Sequence, residues 1–215
     1  MDPATWEGVA AEILSETGCD DPPVDALELA DCCGVAVVEV AGVGGALSRD
    51  TIFVGRAVRR VRKHGLVAHE LGHWALRRGG EDDTEDGARF LAGAFLLPRQ
   101  PFDRDLRSTW DVRALQAKHV NASAELIVRR IVSMRDAVAT IWDEGRLRAR
   151  IVSPWVTGFG KRPTPYEHEL ADRVLASGEP EQADDRVWAF PFFDGRYRRV
   201  ITVAEAEQLA LRFGR

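Results

Sequence analysis

Two histidines, His69 and His73, lie four positions apart and flank a glutamate, Glu70, in the motif His-Glu-Leu-Gly-His. On an α-helix, residues four apart share one face, with Cβ atoms about 5 to 6 Å from each other. Both imidazoles can therefore bind one metal ion and supply two of the three protein ligands of a catalytic zinc site. Glu70 would lie beside the metal without binding it, where a carboxylate can accept a proton from water. This HExxH spacing indicates metal-dependent hydrolysis.

The residues around the motif favour the helix that this geometry requires. Apolar residues recur at helical spacing over residues 66–76 without a proline, and Gly79-Gly80 ends the run. Arg77 and Arg78 come just before these glycines, where positive charge suits a helix C-terminus. The alternative is a surface helix that carries two histidines and a solvated glutamate by chance.

A third metal ligand has to come from another segment, and an acidic stretch follows the motif. An apolar run after it ends at Pro98, which predicts a buried helix over residues 83–97 that packs on the first helix. Spacing alone does not choose among the available carboxylates, which are Glu81, Asp82, Asp83, Glu85 and Asp86. Glu85 also has a structural interpretation, because Asp82 as N-cap would make it the capping-box glutamate.

The two helical segments together resemble the ImmA/IrrE metallopeptidases. The family's second helix has a pattern of the form E-x-x-A-N-x-F-A-x-x-L-L-M-P, and this chain has, in the same register, Glu85-x-x-Ala88-x-x-Leu91-Ala92-x-x-Phe95-Leu96-Leu97-Pro98. The resemblance implies that Glu85 is the third metal ligand beside His69 and His73, with Glu70 as the base. Leu91 and Leu97 are mild departures. Arg89 replaces the family's usual asparagine, and its cation could alter how the ligand carboxylate is supported.

The resemblance also implies a function. The chain would be a zinc-dependent endopeptidase that cleaves one specific protein, typically a helix-turn-helix (Xre-type) transcriptional repressor, and so derepresses stress, mobile-element or phage-related genes. Mn²⁺ is the other metal that this ligand set accepts. Two alternatives stay open. One is a catalytically silent zincin scaffold that binds DNA or a regulator, and the other is a hydrolase of a non-peptide bond.

Composition limits the class of protein. A chain of 215 residues with 45% hydrophobic residues can bury the core of one large domain, or of one domain with a small addition. The net charge of -5 argues against wholesale binding to nucleic acid or acidic membranes. We expect a cytoplasmic protein, because neither a signal peptide nor a bilayer-length apolar run is present. Cys19, Cys32 and Cys33 lack metal-site spacing and are expected to be reduced thiols.

The whole chain predicts an α+β fold. Helices over residues 5–16 and 24–32 precede strands over residues 35–40 and 46–54. We expect a zincin-like metallopeptidase domain in which the HExxH helix packs on the ligand-bearing helix and a small β-sheet, followed by a small α/β C-terminal element of unknown role. The predicted boundaries are 1–152 for the metallopeptidase domain, 153–165 for a linker rich in proline and glycine, and 166–215 for the C-terminal element.

The family resemblance continues more weakly and implies a helix-turn-helix-like segment over residues 111–136, in which Ser123 is a plausible N-cap. Its arginines, Arg129, Arg130 and Arg135, have two interpretations, structural packing or contact with DNA phosphates. The basic run over residues 56–63 is likewise either a solvated face or a contact for an acidic partner.

The C-terminal quarter predicts further strands. One hairpin is expected over residues 139–152 and another over residues 187–201 through Asp194-Gly195, with a helix over 166–177 between them. A capping box, Thr202-x-x-Glu205, is expected to open the last helix. The aromatic residues in the second hairpin are either core or a docking surface, and they are Trp188, Phe190, Phe192 and Phe193.

Overall fold

The structure, a computed structural model, describes residues 3–42, 44–184, 186–194 and 197–213 and has the predicted α+β composition. Its helices are α1 (Pro3–Thr17), α2 (Ala26–Cys32), α3 (Arg60–Arg78), α4 (Glu85–Leu96), α5 (Arg99–Ser108), α6 (Val112–Lys118), α7 (Ala124–Met134), α8 (Pro165–Ser177) and α9 (Ala206–Phe213). Its strands are β1 (Ala36–Val40), β2 (Gly45–Ser48), β3 (Thr51–Gly55), β4 (Ala137–Asp143), β5 (Arg146–Val152), β6 (Glu181–Asp184), β7 (Val187–Asp194) and β8 (Tyr197–Glu205). Two compact units result. The first comprises Met1–Thr109 and Ala114–Ile127, and the second comprises Trp110–Arg113 and Val128–Arg215.

The sheet of the first unit has the strand order β1-β3-β2, with β1 parallel and β2 antiparallel to β3. The predicted single strand over residues 46–54 is wrong, because the chain turns back at Arg49, whose φ is 52°. Ser48 and Thr51 therefore face each other across a tight hairpin. The turn makes β2 an edge strand of this sheet.

Helix α4 begins at Glu85, two residues later than predicted. Thr84 is the N-cap, and its hydroxyl accepts a hydrogen bond from the Gly87 backbone N–H. The alternative in which Asp82 is the N-cap is wrong, because the cap is Thr84, two residues further along the chain. Glu85 is then the first residue of α4 rather than its capping-box glutamate. Its carboxylate is 68% exposed and is not needed to cap the helix.

Helices α3 and α4 approach each other closely at Gly72, the glycine of the HELGH motif. A Cβ atom at Gly72 would lie 2.7 Å from the carbonyl oxygen and 2.9 Å from the Cα of Ala88. Both atoms belong to the backbone of α4, so they cannot rotate away as a side chain would. Only glycine allows α3 to lie this close to the helix that carries Glu85.

We expect Gly72→Ala to lower the free energy of unfolding by about 1 to 3 kcal/mol, the usual cost of overpacking a core. Gly65→Ala is the matched control on the same helix, because a Cβ there meets nothing within 4 Å. Removing a glycine from a helix interior stabilises it by about 0.5 to 1 kcal/mol. Thermal unfolding followed by circular dichroism would therefore shift in opposite directions for the two variants. Equal shifts would contradict the close approach at Gly72.

The second unit contains an antiparallel sheet with the strand order β5-β4-β8-β7-β6. Helix α8 packs on it, with Leu170 and Val174 buried in one cluster with Trp142 and Val200. The β4–β5 hairpin therefore belongs to the same sheet as the C-terminal strands, whereas the sequence boundary at residue 152 separates them. The difference arises because β4 pairs with β8, more than fifty residues away.

The segment predicted as a linker, residues 153–165, lies within the second unit and is held there. Val156 and Phe159 pack against the buried cluster of this unit. Arg150 of β5 donates a hydrogen bond to the Gly160 carbonyl and forms a buried ion pair with Glu167, with a 2.9 Å distance between Nη2 and Oε2. Glu167 also closes a capping box with Thr164 at the start of α8.

The C-terminal strands differ from their prediction in one respect. The capping box expected at Thr202-x-x-Glu205 is wrong, because both residues continue β8, where Thr202 pairs with Thr140 and Glu205 with Ala137. Helix α9 begins at Ala206. The predicted turn residue Gly195 lies outside the described residues. Among the aromatic residues of β7, Phe190 is buried and Phe193 is exposed.

Candidate metal centre

The first unit brings His69, His73 and Glu85 together at one point. His69 Nε2 lies 3.5 Å from Glu85 Oε2, and His73 Nε2 lies 3.4 Å from Glu85 Oε1. One ligand atom from each residue lies within 4.8 Å of the other two. Helix α3 positions the histidines one turn apart with their rings edge to face, and the first residue of α4 positions the carboxylate.

The donor set fits a divalent metal ion. Two imidazoles and one carboxylate form a ligand set found in catalytic zinc sites, which keep a fourth position open. Burial, followed by the charge of His73, lowers the pKa of His69 below its usual value. The neutral imidazole that binds metal is therefore the form present at neutral pH.

Glu70 lies beside the ligands on α3, next to the first residue of the edge strand β2. A Cβ atom at Gly45 would lie only 3.2 Å from Glu70 Oε1 and 3.4 Å from the Cβ of Leu66. The absence of a side chain at Gly45 therefore leaves space for the Glu70 carboxylate. No sequence pattern connects this glycine with Glu70. Only the pairing of β2 with β3 shows the connection.

Asp83 supports one of the histidines and is the residue that sequence reasoning missed in this role. Its Oδ1 is hydrogen-bonded to His73 Nδ1, and its Oδ2 accepts a hydrogen bond of 2.6 Å from Arg77 Nε. Burial raises the pKa of Asp83, but the hydrogen bonds from His73 and Arg77 outweigh it and leave that pKa below its usual value. Asp83 is therefore a carboxylate at neutral pH.

Arg89, the departure from the family pattern, lies one turn after Glu85 and contacts it. Its Nη1 donates a 2.9 Å hydrogen bond to Asp86 Oδ1, and its Nη2 lies 3.6 Å from Glu85 Oε2. The guanidinium therefore attracts the same carboxylate that faces the two histidines. Because all three side chains are largely exposed, solvent screens this attraction.

Arg129, Arg130 and Arg135, for which packing and contact with DNA phosphates were both open, differ in their accessibility. Arg130 is only 2% exposed, so it is not available to DNA in this structure. Helix α7, which carries it, also buries Ile127, Val128 and Ile131. Ser123 accepts a hydrogen bond from the Leu126 backbone N–H at the start of this helix.

The cysteines lie away from this centre in sequence and are free thiols. A hydrogen bond with the Cys19 thiol raises the pKa of Cys32. Burial raises the pKa of Cys33 to about 11. Cys33 is therefore a neutral thiol at physiological pH rather than a thiolate.

Comparison with family models gives a match over the segment that contains the metal centre. The model of Peptidase_M78, described as the IrrE N-terminal-like domain, matches residues 36–132. These residues include His69, Glu70, His73 and Glu85. The resemblance to the ImmA/IrrE family is thus confirmed over these residues.

One solved structure shows how far the fold is shared. A Mycobacterium tuberculosis transcriptional regulator superposes with a TM-score of 0.69 at 14% sequence identity, over 94% of this chain and 76% of that chain. At this identity the similarity establishes a common fold alone. A comparison with curated proteins gave no significant match. Among the described residues, no helix is both long enough and apolar enough to cross a membrane.

Proposed function

We propose that this protein is a zinc-dependent endopeptidase that cleaves one specific protein, an Xre-type transcriptional repressor. The proposal rests on one observation, the convergence of His69, His73 and Glu85, with Glu70 next to His69 on the helix that carries both histidines. The M78 family match supports peptide-bond hydrolysis as the chemistry. Cleavage of a repressor in the cytoplasm would switch on the stress, mobile-element or phage-related genes that it controls.

Each residue of the centre has a distinct part in the proposed reaction. His69 and His73, through Nε2, and Glu85, through its carboxylate, would hold the metal. A zinc ion, or Mn²⁺ in its place, supplies Lewis acidity that lowers the pKa of water and polarises a carbonyl. Glu70 accepts a proton from the attacking water on its carboxylate and returns it to the leaving amine.

The edge strand β2 suits an extended peptide as substrate. Its inner edge is paired with β3, and Gly45 at its start lies against Glu70. A peptide that adds to the free edge of a sheet uses backbone hydrogen bonds that do not depend on its sequence. Such a peptide would lie close to Glu70, the proposed base.

A solved structure that shares this fold belongs to a protein named a transcriptional regulator, a name compatible with the proposed role in gene regulation. The alternative, a silent scaffold that binds DNA through the helix-turn-helix-like segment, is weakened because Arg130 is buried. The Xre-type substrate comes from the family resemblance and is the part of the proposal that most needs a direct experiment.

The purified protein, loaded with zinc, would be incubated with Xre-type repressors from the same genome, and the products analysed by intact-mass spectrometry. We expect one repressor to be cut at a single site, and the cut to disappear when the protein is first treated with a chelator. Addition of zinc after chelation would restore it. If every repressor stays intact while the protein holds zinc, the proposed substrate is wrong.

A further inference from the structure

His73 has a different partner on each ring nitrogen. Its Nε2 faces Glu85 Oε1 at 3.4 Å, and its Nδ1 is hydrogen-bonded to Asp83 Oδ1. A neutral imidazole carries one proton, and a carboxylate accepts it best at the nitrogen that faces it. Asp83 therefore places the proton on Nδ1 and leaves the lone pair of Nε2 directed toward the metal position.

Asp83 is itself held in place by a second residue of α3. Arg77 Nε donates a 2.6 Å hydrogen bond to Asp83 Oδ2. Arg77 lies four residues after His73, so both side chains project from one face of the helix. One carboxylate thus bridges two positions of α3, using a separate oxygen atom for each.

This bridge also fixes the backbone that carries the third ligand. Asp83 comes two residues before Glu85, and between them Thr84 caps α4. The Glu85 carboxylate is 68% exposed, and its side chain is not packed in a core. Tying Asp83 to α3 therefore limits where Glu85 can lie relative to His69 and His73.

We propose that Asp83 is a positioning residue of the metal centre, which orients His73 through Nδ1 and anchors the start of α4 to α3. The inference rests on the ligand set of the proposed function but not on peptide cleavage. Carboxylates that hold the second nitrogen of a ligand histidine typically contribute about 10- to 100-fold to metal affinity.

Zinc affinity of the full chain would be measured by competition with a chromophoric chelator for wild type, Asp83→Ala and Asp83→Asn. We expect Asp83→Ala to bind zinc about 10- to 100-fold more weakly. Asp83→Asn should lose less, because an amide oxygen still accepts the Nδ1 proton but carries no charge. The matched control is Asp82→Asn, which removes the same charge from an exposed neighbour and should leave affinity nearly unchanged.

A second readout separates orientation of the ligand from general damage to the fold. The visible spectrum of the Co²⁺-substituted protein reports ligand geometry, and we expect it to change in Asp83→Ala but not in Asp82→Asn. Circular dichroism would verify that the variants remain folded. If Asp83→Ala binds zinc as tightly as wild type and gives the same Co²⁺ spectrum, the inference is overturned.

Failure of the proposed function and failure of the role of Asp83 would give different combinations of results. A wild type that binds zinc with the expected dependence on Asp83, but cuts no repressor, supports the positioning role and contradicts the substrate. A wild type that binds no zinc at all overturns both the metal centre and the role of Asp83.

Discussion

Glu70→Gln is expected to reduce peptide cleavage by about 10²- to 10⁴-fold, the range that a positioned general base contributes. The amide has nearly the shape of the carboxylate but cannot accept the proton of the attacking water. Because Glu70 is not among the ligand atoms that converge, zinc content should stay near that of wild type. The measurement is the cleavage rate at saturating enzyme, together with metal content by elemental mass spectrometry.

Glu12→Gln is a suitable control, because Glu12 is an exposed glutamate on α1, and its substitution should alter neither quantity. Full cleavage by Glu70→Gln would show that another group is the base. Loss of gene activation in cells alongside loss of cleavage would favour the peptidase over a silent binding scaffold. A scaffold would keep its biological effect in this variant.

The centre could be predicted from the sequence where it depends on local geometry. The spacing of His69 and His73 determines their relative position, because helix α3 has a fixed rise and turn. The family resemblance, rather than the spacing, points to Glu85 as the third ligand, since five carboxylates lie within residues 81–86. The structure separates two of these carboxylates, with Glu85 facing the ring Nε2 atoms and Asp83 facing Nδ1 of His73.

Other features depend on pairings between distant segments, which sequence patterns do not specify. Gly45 lies beside Glu70 because the chain turns back at Arg49 to form a hairpin. Arg49 has a left-handed φ although it is not a glycine, so no glycine in the sequence marks this turn. Thr202 and Glu205 matched a helix-capping pattern, but β4 offered a strand partner, and pairing with it outweighed the local signal. The same pairing assigns residues 137–152 to the second unit.

Gly72 combines a feature that the sequence shows with a contact between distant segments that only the structure shows. The sequence shows that Gly72 lies inside the HExxH motif, but a glycine within a helix usually only weakens that helix. The contact with the Ala88 backbone explains why glycine suits this position, since it sets the distance between the two ligand-bearing helices. The prediction for Gly72→Ala therefore bears on the metal centre as well as on stability.

Glu85→Ala is expected to remove most of the bound zinc, since it deletes one of three ligands. The loss should exceed the roughly 10- to 100-fold decrease typical of supporting residues. Asp86→Ala is the matched control, because Asp86 is the next residue on α4, is also an exposed carboxylate, and pairs with Arg89 rather than facing the histidines. Metal content after dialysis against zinc at micromolar concentration would distinguish the two variants.

The alternative outcome would identify the ligand by elimination. If Glu85→Ala retains its zinc, a neighbouring carboxylate such as Glu81 must complete the site, and the double variant should then lose the metal. Arg89 offers an independent check, because its guanidinium lies 3.6 Å from Glu85 Oε2 and attracts the same carboxylate. Arg89→Asn, which restores the residue usual in the family, should strengthen zinc binding if Glu85 is the ligand and leave it unchanged if it is not.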